Sequence, residues 1–201
     1  MPWPKDHKRS THERIVEAAA AAFRQEGIAE VGVAEVMRSA GLTHGGFYAH
    51  FVSKDDLLAE AILHASTEVS KILEASTEDS AANQRLLKAA LTYLSAAHLA
   101  HLEWGCPIAA LGPELLRGSQ KVRRALAAEI RRRFKQLYDL TPEEMPAEIR
   151  RRQVAGACAC MVGGLIIARG MKESERREFL DDCHRFLREA LLEPKTTKNS
   201  S

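Results

Sequence analysis

Aromatic residues are scarce in this chain: two Trp, three Tyr and six Phe make up 5% of 201 residues. With Ala and Leu abundant, that scarcity favours helices over strands. Net charge is also small, since 29 Lys/Arg against 27 Asp/Glu leave only +2, too little to announce a nucleic-acid-binding protein by bulk charge. Residues 1–55 carry seven basic and seven acidic side chains, so any basic face there must be local. The longest uncharged run, Gln153 to Ala168, is shorter than the roughly 18 residues of a membrane span. Met1-Pro-Trp-Pro4 offers no apolar segment of a secretory signal, and a cytoplasmic protein without a membrane partner is expected. No acid–base pair, Ser/His/Asp order or phosphate loop suggests catalysis or a cofactor, and Gly45-Gly46 and Gly163-Gly164 are isolated pairs. There are no internal repeats.

Cysteine is limited to Cys106, Cys158, Cys160 and Cys183. On a helix, Cys158 and Cys160 point to nearly opposite sides and do not chelate one ion together. His98, His101 and Cys106 have acceptable spacing for zinc but no evident fourth ligand, so no metal is expected. A reducing compartment makes structural disulfides unexpected. Cys106 precedes Pro107 at an expected helix start, where the dipole favours a thiolate, and it is the best candidate for a reactive thiol. The plain alternative is a small buried apolar residue.

Punctuation and periodicity divide the chain into about nine helices, an all-α fold. Ser10-Thr-His-Glu13 has the form of a capping box, opening a helix with Ile15, Ala19, Ala22 and Phe23 inward that ends at Gly27. A second capped start is Ser53-Lys-Asp-Asp56. Leu87, Leu91, Leu94, His98 and His101 form one stripe up to Gly105-Cys-Pro107, and a short helix from Pro107 ends near Gly112-Pro113. Ser119 caps a helix with Val122, Leu126, Ile130, Phe134 and Leu137 inward. Thr141-Pro142 marks either a turn or the start of a helix running to Arg169. Ser174 caps the last helix, and Pro194–Ser201 reads as a disordered tail.

Residues 33–51 have the form of a helix-turn-helix. Val33, Val36, Met37 and Ala40 give one apolar face, Gly41 can take the positive φ that ends that helix, and Leu42 plugs the corner. Thr43 can cap a very short second helix anchored by Phe47 and Phe51. Its other face carries Thr43, His44, Gly45, Tyr48 and His50, a pattern suited to a DNA major groove. An ordinary helical hairpin is the plain alternative. Lys5, His7, Lys8 and Arg9 form a basic arm beside it.

The surrounding residues resemble the N-terminal domain of the TetR family of transcriptional regulators. The resemblance rests on Ile15, Ala18-Ala19, Phe23 and Gly27, then Val36, Ala40-Gly41-Leu42 and Phe47-Tyr-Ala-His-Phe51, then Ser53-Lys-Asp-Asp-Leu-Leu58. Many members open the second helix with threonines. This chain has Val31-Gly-Val33, with Gly32 as a weaker cap. The resemblance implies a three-helix DNA-binding domain over residues 1–52, a larger ligand-binding and dimerisation domain over 53–193, and the tail at 194–201. It implies a homodimeric repressor, released from a palindromic double-stranded DNA operator by a small-molecule inducer. Thr43 and His44 are the base-reading candidates, Gly45 and Gly46 would let the backbone approach closely, and Tyr48, His50 and Lys54 would hold phosphates. A thiol-based sensor using Cys106 is the competing reading.

Val154–Ala168 is apolar all round, which asks for burial on more than one side. Ala155, Gly156, Ala159 and Gly163, with Phe179, Cys183, Phe186 and Ala190 of the last helix, are the expected dimer seam; a central helix of a monomeric bundle is the alternative. Ligand-pocket candidates are Tyr93, His98, His101, Trp104, Cys106, Leu111, Phe134 and Met161, a mix of apolar walls and a few polar groups. For the aliphatic members, plain core is the alternative; for His98 and His101, a core histidine satisfied by a backbone carbonyl.

Overall fold

Helical periodicity dominates the chain, and the computed structural model, which describes residues 5–192, contains nine α-helices, two short 3-10 helices and no strand among those residues. They are α1 (Lys5–Glu26), α2 (Val33–Ser39), a 3-10 helix (His44–Ala49), α3 (Lys54–Thr77), a 3-10 helix (Ala82–Gln84), α4 (Arg85–Tyr93), α5 (Ala96–Ala100), α6 (Pro107–Arg117), α7 (Gln120–Asp139), α8 (Ala147–Gly170) and α9 (Glu173–Leu192). The proposed tail, residues 194–201, lies outside the described residues.

Several boundaries differ from the expected ones, each for a local reason. The capping box at Ser10 does not open α1, which is already under way at Lys5. Straight-chain Lys8 and Arg9 favour helix, and Arg9 pairs with Glu13 one turn later at 2.9 Å. The stripe from Leu87 to His101 is not one helix. It breaks after Tyr93 and restarts at Ala96, where the Ser95 hydroxyl accepts the His98 N–H at 3.2 Å. Helix α6 does not stop at Gly112-Pro113. Exposed Pro113 costs one backbone bond, but Ala109, Leu111 and Leu115 are buried on one face and carry the helix on to Arg117. Residues 141–146 form a turn, held by Arg150 Nε donating to the Thr141 hydroxyl at 2.7 Å. On α7, Ile130 and Phe134 are exposed, while Glu129 and Arg133 take the buried positions between Leu126 and Leu137.

The chain forms two compact units. The first comprises residues up to Lys71 and Ala100–Arg131; the second comprises Ile72–Leu99 and the residues from Arg132 onward. One hydrophobic core fills the first unit: Ile15, Phe23, Val36, Met37, Phe47, Phe51, Leu57 and Ile62 are joined by Leu111, Leu115, Val122 and Leu126. Each such side chain contributes about 1.5–3 kcal/mol by leaving water. In the second unit α8, α9 and α4 pack on one another. A Cβ on Gly164 would stand 3.3 Å from Leu94 Cδ2 and 3.4 Å from Cys183 Sγ, so glycine lets the three helices close there. Helix α8 is long and apolar enough to cross a membrane by length and composition alone. Its Val154, Ala157, Met161, Leu165 and Ala168 are buried within the protein.

Candidate nucleic-acid interface

Helix α2 ends where Gly41 turns to φ +70°, and the Leu42 N–H closes on the Met37 carbonyl at 2.8 Å. Leu42 is half-buried against the core at that corner. Arg14 of α1 donates to the Ala40 carbonyl at 2.5 Å, pinning the end of α2. The following helix is a single 3-10 segment, short as expected. Thr43 stands at its N-cap with extended backbone, but its hydroxyl makes no capping bond; the cap is its carbonyl, which accepts the Gly46 N–H at 3.1 Å. Phe47 is 1% exposed and stacks on buried Phe51 with ring centres 5.6 Å apart, fixing one side of the segment. The other side is open: Thr43, His44 and Gly45 are exposed, and Tyr48 is 70% exposed. The two glycines differ. A Cβ at Gly45 would meet nothing within 4 Å, whereas one at Gly46 would lie 3.5 Å from Met37 Cε.

Beside this segment lies a recess of about 340 Å³ lined by Lys8, Arg9, His12, Ala49 and His50. His12 stacks on Phe51 at 4.5 Å and shares a 2.6 Å hydrogen bond with Glu60 of α3. His50 lies 5.8 Å from His12, and its Nδ1 is buried without a hydrogen-bond partner. Burial, then the neighbouring His12 and Lys8, hold the His50 imidazolium below its usual range. The basic arm thus contributes Lys8 and Arg9; the side chain of Lys5 lies outside what the structure describes.

Lys54 stands differently from the expected phosphate contact. Its ammonium turns inward, donates to the Ile28 carbonyl at 2.5 Å and lies 5.7 Å over the Phe23 ring. The cap of α3 is as expected, with the Ser53 hydroxyl accepting the Asp56 N–H at 3.2 Å.

Residues 15–61 match the family model described as bacterial regulatory proteins, tetR family. These residues thus form a TetR-type N-terminal domain. In sequence the chain is 34% identical over 56 residues to the HTH-type transcriptional regulator AcrR of Shigella flexneri, covering 28% of this chain and 26% of that protein. It is also 34% identical over 74 residues to the HTH-type transcriptional regulator TtgR of Pseudomonas putida, covering 37% and 35%. The match therefore spans only about a quarter to a third of these curated relatives. The fold agrees over far more: a TetR-family regulator from Cytophaga hutchinsonii superposes with a TM-score of 0.75 at 19% identity, covering 89% of this chain and 93% of that one. The reduced form of Escherichia coli NemR gives 0.74 at 18% identity, covering 92% and 99%.

Outside the TetR-type helix-turn-helix, the candidate pocket residues fall in both units. In the first, Cys106 is buried at the N-cap of α6 with Pro107 in the first turn, and Leu111 is part of the hydrophobic core. His101, expected to be sheltered, is exposed; it bonds Glu103 at 2.8 Å and stacks on half-buried Trp104 at 5.2 Å. The break at Ser95 rotates it away from the Leu87 stripe. In the second unit Tyr93 and Met161 are buried and Phe134 is exposed. His98 is buried, shares a 2.7 Å hydrogen bond with the Tyr93 carbonyl and meets that ring edge-on at 4.4 Å. Ser66, Ser70, Glu129 and Arg133 are buried as well, polar side chains on otherwise apolar helix stripes.

The residues expected at a dimer seam lie along α8 and α9. Ala155, Gly156, Ala159, Phe186 and Ala190 are exposed, and Gly163, Phe179 and Cys183 are half-buried. A groove of about 330 Å³ runs between the two helices past Gly156, Ala157, Phe186 and Ala190. Cys183 is hydrogen-bonded to Cys160, and burial followed by that neighbour pushes the Cys160 thiol up to about 11.

Proposed function

We propose that this TetR-family protein is a cytoplasmic, ligand-responsive transcriptional repressor that binds a palindromic operator as a homodimer. The observation that carries the reading is the segment His44–Ala49: anchored by Phe47 on one side, it leaves Thr43, His44, Gly45 and Tyr48 open beside a cationic recess. In this reading residues 1–52 supply the DNA contacts. Thr43 and His44 meet base edges, Gly45 and Gly46 admit the backbone closely, and Tyr48 and His50 hold phosphates. Lys54 positions the corner instead of touching DNA. The apolar face of α8 and α9 pairs with its counterpart in a second copy. A small-molecule inducer bound outside residues 1–52 favours the conformation that does not bind DNA. A near-complete switch requires about 5.5 kcal/mol of preference between the two states. Selection from random duplexes tests the reading: an inverted repeat is expected, with half-site centres about 34–36 Å apart or a multiple of that spacing. Recovery of no preferred sequence would refute it.

Phosphate binding at His50 has a proton signature. Depressed in the free protein, its ionisation is favoured by a nearby phosphate, so binding takes up a proton. Operator affinity is therefore expected to rise as pH falls from 8 toward and below about 6.5, the unperturbed histidine value. His50→Gln should flatten this rise in a fluorescence-anisotropy titration, and an unchanged slope would remove His50 from the phosphate contact. For stability the sign is opposite: the neutral form is favoured in the fold, so that contribution is full above about 6.5 and is lost as pH falls through the lower folded value.

The competing thiol sensor is favoured by one feature, the place of Cys106 at the N-cap of α6. Cys106→Ser is expected to keep any response to a reversible inducer. Release of wild type but not Cys106→Ser from the operator by low peroxide or quinone would make the thiol the sensor.

A further inference from the structure

We infer that Glu114 is a positioning residue for DNA binding: from α6, its carboxylate fixes the corner between α1 and α2 on which the helix-turn-helix stands. The inference rests on the DNA-binding reading above. Glu114 Oε2 accepts the Ile28 N–H at 2.8 Å, while Lys54 Nζ, at the start of α3, donates to the Ile28 carbonyl at 2.5 Å. Both polar backbone groups of one residue are thus taken by side chains from two other helices. Ile28 directly follows Gly27, whose φ of +91° ends α1, and it lies in the connection to α2. The fit is close, since a Cβ on Gly27 would stand 3.4 Å from Glu114 Oε1.

A second tie holds the same two helices nearer the start of α6. Buried Arg24, one turn before Ile28, donates to the Gly105 carbonyl at 3.0 Å and to Glu68 of α3 at 2.9 Å. Gly105 lies just before α6, and Glu114 lies about two turns along it. Two ties that far apart oppose both sliding and rotation of α6 against α1. Leu111 and Leu115, between and beside them, sit in the core that also holds Phe23 and Leu58. A displacement of α6 therefore drags the Gly27-Ile28 corner with it, and with the corner the placement of α2 and the reading segment. Both ties are charge-assisted, one through the Glu114 carboxylate and one through the Arg24 guanidinium.

Full-length Glu114→Ala and Glu114→Gln test this, with Glu78→Ala as an exposed-carboxylate control. The alanine variant is expected to bind the selected operator roughly tenfold more weakly and to lose hydrogen-exchange protection at Ile28. Protection in α8 and α9 should be unchanged. The glutamine variant keeps an oxygen acceptor and should retain most of both properties. Wild-type operator affinity in Glu114→Ala overturns the inference; so does an equal loss in Glu114→Gln, or exchange that rises across the whole chain. Should the wild type select no duplex at all, the DNA reading fails by itself, and the Ile28 exchange of the two variants still decides whether the tie exists.

Discussion

Phe186→Asp is expected to yield a folded monomer whose operator affinity falls by about two to four orders of magnitude. Phe186 is 56% exposed on α9, so its loss costs the isolated chain little. A carboxylate buried in a helix–helix seam is another matter, because desolvating an unpaired charge costs several kcal/mol. Once the pair is broken, the second half-site no longer benefits from the first. Gly163→Arg should behave alike, since nothing lies within 4 Å of a Cβ there. Gly164→Arg, against Leu94 and Cys183, should instead damage the fold. Sedimentation velocity separates the cases, with thermal melts to confirm folding. A wild type that is monomeric at micromolar concentration, yet footprints the palindrome with one protein per half, sinks the preformed dimer.

Neighbouring residues in the reading segment should fail in opposite ways. Phe47→Ala empties a fully buried site in the first unit and is expected to cost about 3–5 kcal/mol. That is a large share of the roughly 5–15 kcal/mol by which domains are stable. DNA binding is then lost through unfolding, visible in a denaturant titration without any DNA. Tyr48→Phe should leave stability within about 0.5 kcal/mol, because the hydroxyl is in solvent. It should weaken specific and nonspecific duplex alike, since a phosphate contact carries no sequence information. Changes at Thr43 or His44 should shift sequence preference instead. Equal stability of the Phe47 variant and wild type would mean that the segment is not anchored as described.

The helix-turn-helix was legible because its determinants are local. Gly41 and Gly27 supply positive φ, Phe47 and Phe51 are four apart, and Ser53 meets Asp56 within one turn. Where long-range partners decide, the sequence was silent. Lys54 has the right type and place for a phosphate contact, yet Ile28, 26 residues away, takes its ammonium. Arg24 and Glu114 look like solvated charges on amphipathic helices until Gly105 and Ile28 are brought to them. His98 and His101 continue the Leu87 stripe only if the helix does, and the serine at 95 interrupts it. His98 nevertheless bonds a main-chain carbonyl, as buried imidazoles commonly do.

The shared core of the first unit bears on how such a protein can change over generations. Leu111, Leu115, Val122 and Leu126 complete the packing of Phe23, Met37, Leu58 and their neighbours. A crossover that grafted residues 1–52 onto a foreign C-terminal part would leave those apolar faces without their mates. The reader is therefore poorly suited to inheritance as a transplantable cassette. New operator preferences are more readily reached by single replacements at open positions such as Gly45, where a side chain meets nothing. Recombination within this lineage should accordingly favour breakpoints that keep α6 together with α1.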